Sequence, residues 1–365
     1  MKRFVVILLT LSILLTACGN APAPQESKRT ITDQAGFTVE LPEKVERIVV
    51  CDILPLPSVL SVFFDSADKI VGMSGTSMNA AENGLLGQLY PQILKAETGF
   101  IDGSTVNTEE LLKLRPDVVF YNASRTELGQ QLRTAGFPAV AISVNKWDYD
   151  CIETLNNWIS LLEEIFPDNA RSEAVKAYSD KTLARVSERL AGIPEAQRER
   201  VLFLYQYSET NIMTSGAKFF GQWWADAAGA INVAQELTSD NSVAVNMEQI
   251  YAWNPSVIIM TNFTPAGPDD LYNNTVGVYD WSAVDAVQNR RVYKMPLGMY
   301  RSYTPGADTP VTLLWLAKTL YPSSFEDVDI LAETKAYYLE VFGVELTDSQ
   351  AESIFAPVAN AGTGF

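Results

Sequence analysis

One short pattern stands twice in the chain and constrains the fold more than any other feature. Val106-Asn107-Thr108-Glu109-Glu110-Leu111 runs into Pro116-Asp117-Val118-Val119-Phe120, and Val245-Asn246-Met247-Glu248-Gln249-Ile250 runs into Pro255-Ser256-Val257-Ile258-Ile259. In each copy an Asn sits at a helix N-cap position with a Glu or Gln three residues on, as in a capping box, and a Pro then halts the helix before an apolar, β-branched run. Each copy therefore predicts helix, turn and buried strand, so the chain is expected to hold two halves of one design. Glu110 and Gln249 take the capping role. Glu109 and Glu248 remain as matched first-turn carboxylates whose only evident local duty is to complement the helix dipole, worth about 0.3 to 1 kcal/mol each.

At the N-terminus Lys2 and Arg3 precede an apolar run over residues 4–15 and then Leu15-Thr16-Ala17-Cys18-Gly19. That run is shorter than the roughly 20 residues a membrane span needs. The segment resembles a lipoprotein signal peptide, which predicts cleavage of 1–17, lipidation of Cys18 and attachment to the outer face of a membrane. Residues 18–29, polar and Pro-rich at first, read as a flexible tether. The remainder exceeds one ordinary core of about 150 residues and suits two domains: a lobe over 30–166, a long connecting helix within 167–195, and a lobe over 196–365. An ordinary surface helix is the plainer alternative for the connector.

The formal charge of −17, which grows by two units when Lys2 and Arg3 leave, argues against nucleic acid or an anionic membrane surface as partner. There is no His. Imidazole-based catalysis and most protein-held zinc and copper sites are thereby removed. Besides Cys18, only Cys51 and Cys151 are present, either as free buried thiols or as a pair.

Residues 31–42 alternate about an Ala-Gly pair and predict a hairpin; 47–51, 70–73, 118–121 and 139–144 read as buried strands interleaved with helices. The same alternation resumes at 201–205 and continues through 257–259 and 291–295. This order predicts an α/β fold of two doubly wound lobes with mostly parallel sheets. Ligands of such sheets bind beyond the carboxyl ends of the strands. The loops there carry Tyr121, Trp147, Tyr149, Tyr205, Tyr207, Phe263, Tyr300, Arg301 and Tyr303, with Trp223 on a neighbouring helix. Such a lining suits a bulky, flat or partly apolar ligand, whose carboxylate or catecholate Arg301 would meet bidentately, whereas core packing and a salt bridge are the structural alternatives.

Several pieces together resemble the iron-siderophore and cobalamin family of periplasmic binding proteins that serve ABC importers. They are Thr32-Asp33-Gln34-Ala35-Gly36 with Pro42 and Arg47-Ile48-Val49; Lys69-Ile70-Val71-Gly72; Asn107-Thr108-Glu109 with Leu114-Arg115-Pro116-Asp117; Met247-Glu248-Gln249 before Trp253-Asn254-Pro255; and Ala317-Lys318-Thr319-Leu320-Tyr321-Pro322. The resemblance implies two lobes joined by one helix with the ligand cleft between them, a monomer, and no enzymatic activity. It implies that Glu109 and Glu248 dock on the permease, which works with an ATPase. It also implies a metal chelate as cargo: a ferric siderophore foremost, haem or cobalamin otherwise. No protein-held cofactor or metal is expected. Two alternatives remain: capture of a bare metal cation, disfavoured without His or a tight carboxylate cluster, and an extracellular hydrolase using Glu109 and Glu248, disfavoured because both precede their strands and so face away from the cleft.

Overall fold

The structure is a computed structural model that describes residues 28–363. The expected signal segment, Cys18 and nearly all of the tether lie outside the described residues. Among those described, no helix is long and apolar enough to cross a membrane.

Strands β1 (Lys28–Thr32) and β2 (Thr38–Pro42) pair antiparallel with Ile31 opposite Val39. Asp33 builds the turn: one carboxylate oxygen accepts from the Ala35 and Phe37 amides at 3.0 and 2.8 Å, the other from the Ala141 amide at 3.0 Å, and Gly36 supplies a φ of 87°. The hairpin, too small to stand alone, is thus fastened to the edge of the first sheet. The chain continues as β3 (Ile48–Val50), α1 (Leu56–Phe64), β4 (Ile70–Gly72), α2 (Gly75–Asn83), α3 (Leu85–Leu89), β5 (Ile101–Asp102), β6 (Thr105–Val106), α4 (Thr108–Lys113), β7 (Val118–Asn122), α5 (Thr126–Thr134) and β8 (Ala139–Ile142). Strands β4, β3, β7 and β8 lie side by side in that order, all parallel. Ile48, Val50, Val118, Phe120, Val140 and Ile142 pack on one face with α1 and α6 (Cys151–Ile165); Val49, Val119, Ala139 and Ala141 pack on the other with Leu111, Leu128 and Leu132. Burial of both faces is why these strands read as unbroken apolar runs.

Helix α7 (Ser172–Leu190) begins in one core and ends in another: Val175 and Tyr178 belong to the first lobe's core, Val186 and Leu190 to the second's. Its sides are held by Arg185 on Glu333 and Arg189 on Asp327, both at 2.6 Å. The second sheet takes β9 (Arg200–Tyr207), β10 (Ile212–Ser215), β11 (Ile231–Asn232), β12 (Ser242–Val245), β13 (Val257–Met260) and β14 (Val292–Lys294). Strands β9, β13 and β14 are parallel, whereas β10 and β12 add an antiparallel flank. Helices α8 (Phe220–Ala227) and α12 (Thr309–Leu320) cover one face and α9 (Met247–Trp253), α10 (Pro268–Asn273) and α11 (Asp285–Gln288) the other.

The core does not divide as the expected boundary at 196–365 would have it. After α12 the chain returns through α13 (Ile330–Tyr337) and α14 (Asp348–Phe355), and Tyr337, Tyr338, Val341, Phe342, Leu346 and Ile354 pack with Tyr90, Ile93 and Val175 in the first lobe's core. The apolar surface of this last segment finds its partner across the molecule rather than on the sheet that precedes it.

Candidate ligand-binding cleft

At the carboxyl ends of the first sheet, Asp52 accepts the Asn122 amide at 2.7 Å and pairs with Arg125 at 3.1 Å. Burial raises the Asp52 pKa, opposed by those two partners. From the same end, the loop before α6 reaches across to the second lobe. Asp148 and Tyr149 stand at φ of 49° and 61°, a left-handed pair without glycine that costs roughly 1–2 kcal/mol per residue. Tyr149 recovers this by donating to the Asp240 carbonyl at 2.6 Å and packing edge-on against Phe219 and Phe220. Asp150 caps α6 through the Glu153 amide and also takes a hydrogen bond from Trp223. Trp147 is half-buried beneath Lys146, 5.7 Å from its ring.

In the second lobe, Tyr205, Phe219, Phe263 and Tyr303 form one aromatic group, with Tyr205 5.6 Å from Phe219, 5.1 Å from Phe263 and 5.6 Å from Tyr303. Tyr303 is wholly buried, and its carbonyl accepts the Trp224 indole at 2.8 Å. Tyr300 is also buried; burial pushes its phenol up to about 12, and its hydroxyl has no hydrogen-bond partner among the described residues. Arg301 lies at the centre, 0% exposed and over the Phe263 ring at 4.9 Å. Its Nε donates to the Ala361 carbonyl and its Nη2 to the Thr363 carbonyl, both at 3.0 Å. Beside it Lys294 donates to the Thr264 and Ala266 carbonyls at 2.6 Å; burial pulls its ammonium down to about 7, with Arg301 pushing the same way against Asp270.

The loop carrying Arg301 is itself anchored by a residue that sequence reading missed. Asp308, fully buried, accepts the Met299 amide at 2.8 Å and the Tyr338 hydroxyl. Gly298 is required at this approach, since a Cβ there would stand 2.1 Å from the Asp308 carboxylate. Burial raises the Asp308 pKa to about 6, more than its hydrogen bonds lower it. The neutral acid is thus the form the fold favours. The raised pKa contributes stability that is complete below about pH 4 and lost as pH climbs through about 6, amounting to about 3 kcal/mol at 1.36 kcal/mol per unit. Urea midpoints measured from pH 4 to 7 are expected to fall over this window in the wild type and to fall less in Asp308→Asn. Parallel curves would show that Asp308 does not titrate there.

Not every expected residue meets in this cleft. Tyr121 is 1% exposed and lies under α5, accepting Arg133 at 2.8 Å, so it belongs to the first lobe's core. Tyr207 faces the opposite side of its sheet from Tyr205, donating to the Val276 carbonyl and accepting the Trp281 indole, both at 3.0 Å. The reason is a β-bulge: Gln206 pairs with Met213 but Leu204 with Thr214, which leaves Tyr205 unpaired and shifts the alternation by one. Cys51 and Cys151 are free, buried thiols. No group of three or more Asp, Glu or Cys that could hold a metal occurs among the described residues. Cavities of about 500 and 540 Å³ flank α7, away from these strand ends, and 359–363 fill the space against Arg301.

Glu109 and Glu248 are both exposed, one in the first turn of α4 and the other in the first turn of α9. The capping box is complete in the second copy, where Asn246 and Gln249 bond reciprocally at 2.9 and 3.2 Å. In the first copy Asn107 caps alone, and Glu110 turns instead to Lys113 at 2.6 Å.

Residues 59–297, more than half of the chain, match the family described as periplasmic binding protein. The molybdate-binding protein MolA of Haemophilus influenzae is 28% identical over 335 residues, covering 86% of this chain and 91% of that protein. Its molybdate-bound crystal structure superposes at a TM-score of 0.71 with 25% identity, over 87% of this chain and 99% of that one. A periplasmic solute binding protein from Veillonella parvula superposes at 0.80 with 29% identity, over 92% and 99% of the two chains. Strand-end geometry, helical connector and these likenesses agree: the chain belongs to the periplasmic binding proteins, extracytoplasmic and non-enzymatic substrate carriers of ABC importers in the two-lobed form with a connecting helix.

Proposed function

We propose that this binding protein carries a small oxyanion of the molybdate class, gripped by Arg301 between the lobes and delivered to a permease that Glu109 and Glu248 engage. The observation that carries the reading is a wholly buried guanidinium at the second lobe's strand ends whose Nε and Nη2 each hold one oxygen, the main-chain carbonyls of Ala361 and Thr363. A planar fork of this kind recognises paired oxygens of an anion. The resemblance to a molybdate-binding protein supports it. The aromatic residues packed on one another at the cleft favour a compact cargo over a large one. Lipidation at Cys18 would hold the carrier at the outer face of the membrane as a monomer.

A second reading, a ferric siderophore, haem or cobalamin, draws on Tyr149, Trp223, Tyr205, Phe263 and Tyr300 as walls that would part to admit it. Tryptophan fluorescence decides between the two. Titration with molybdate, tungstate and sulfate is expected to give saturable quenching through Trp223 and Trp147, with ferric siderophores, haem and cobalamin giving none. Saturation by a chelate alone would replace the oxyanion with the second reading.

A further inference from the structure

We infer that residues 359–363 are an internal strap that occupies the cargo's place on Arg301 and must leave before cargo binds. The inference rests on the oxyanion reading of that site. Ala361 is 0% exposed, and its carbonyl and that of Thr363 take the Nε and Nη2 of Arg301 at 3.0 Å each, the two-oxygen pattern an oxyanion would present to the same fork. The strap also touches both lobes. Asn79 of α2, in the first lobe, hydrogen-bonds Thr363 at 3.2 Å, while Gly362 lies so close to Thr264 of the second lobe that an added Cβ would stand 2.2 Å from its carbonyl oxygen. That same Thr264 carbonyl holds Lys294. Cargo and strap therefore compete for one guanidinium, and the docked strap ties α2 to the second lobe.

Two neutral carbonyls are weaker partners for a guanidinium than a charged oxyanion. The strap thus fills the site without sealing it. Its cost to the cargo is a lowered apparent affinity, in proportion to the fraction of molecules in which it is undocked.

Gly362→Val in the full chain expels the strap sterically while leaving Arg301 in place, and Asn79→Ala loosens its hold on α2 should the first variant fold poorly. Sodium molybdate titrations are expected to show either variant binding about tenfold tighter than wild type. Hydrogen exchange over 359–363 is expected to be slow in the ligand-free wild type, fast in Gly362→Val, and fast in the wild type once saturated. Equal or weaker binding by both variants, or exchange that slows on saturation, overturns the strap; the latter would make the segment part of the grip. If no oxyanion binds but a ferric siderophore, haem or cobalamin does, the oxyanion reading fails and the same comparison with that probe decides the strap. Binding of no probe by any of the three chains overturns both.

Discussion

Replacing Arg301 with Gln is expected to weaken molybdate binding by about a hundredfold. A charge-assisted hydrogen bond contributes about 1.5–3 kcal/mol, and the variant loses two, against which stands the pair of carbonyl contacts that wild-type Arg301 gives up when the cargo arrives. A net loss of about 3 kcal/mol corresponds to that hundredfold change. Arg301→Lys keeps the charge but not the fork and should fall between the two. Isothermal titration at fixed ionic strength reads the effect, with circular dichroism confirming that the second lobe stays folded. Unchanged affinity in Arg301→Gln would remove the guanidinium from the site.

The parallel sheets were legible because burial on both faces leaves a continuous apolar signature, and Ile48–Val50, Val118–Asn122 and Val257–Met260 all carry it. The repeated caps were legible because capping is local: Asn107 and Asn246 meet their own helices within three residues. What escaped is non-local. Arg301 stood out among tyrosines, yet nothing near it announces Ala361 and Thr363, sixty residues on, as its partners. Tyr207 was expected in the loop beyond a strand ending at 205, but β9 runs on to Tyr207, and the bulge at Tyr205 turns its side chain to the opposite face. Asp308 stands at the N-cap position of α12, but its carboxylate serves the Met299 amide and Tyr338, contacts that no local pattern announces. The return of residues 330–355 to the first lobe is non-local too, since Tyr337, Tyr338 and Phe342 meet Tyr90, Ile93 and Val175 from far earlier in the chain.

Reversing both first-turn acids, Glu109→Arg with Glu248→Arg, is expected to reduce cargo uptake by intact cells about a hundredfold or more while the purified protein keeps its affinity. Neither residue touches the cleft. Each begins a helix that leads into the amino end of a strand, the edge opposite Arg301, and each is exposed. The two helices repeat one burial sequence residue for residue: exposed Glu, half-buried Glu110 or Gln249, buried Leu111 or Ile250, then an exposed apolar residue, Leu112 or Tyr251. Matched exposure of an acid on both halves does little for the isolated fold, where the helix dipole gains at most about 1 kcal/mol per site. It has a use against a partner with two basic sockets, because an ion pair buried at an interface costs 2–5 kcal/mol or more when one member is changed. Two such losses exceed the hundredfold threshold, and a single reversal should fall between. Uptake that survives the double reversal would leave the paired acids without a partner, and affinity lost along with uptake would place them in the cleft after all.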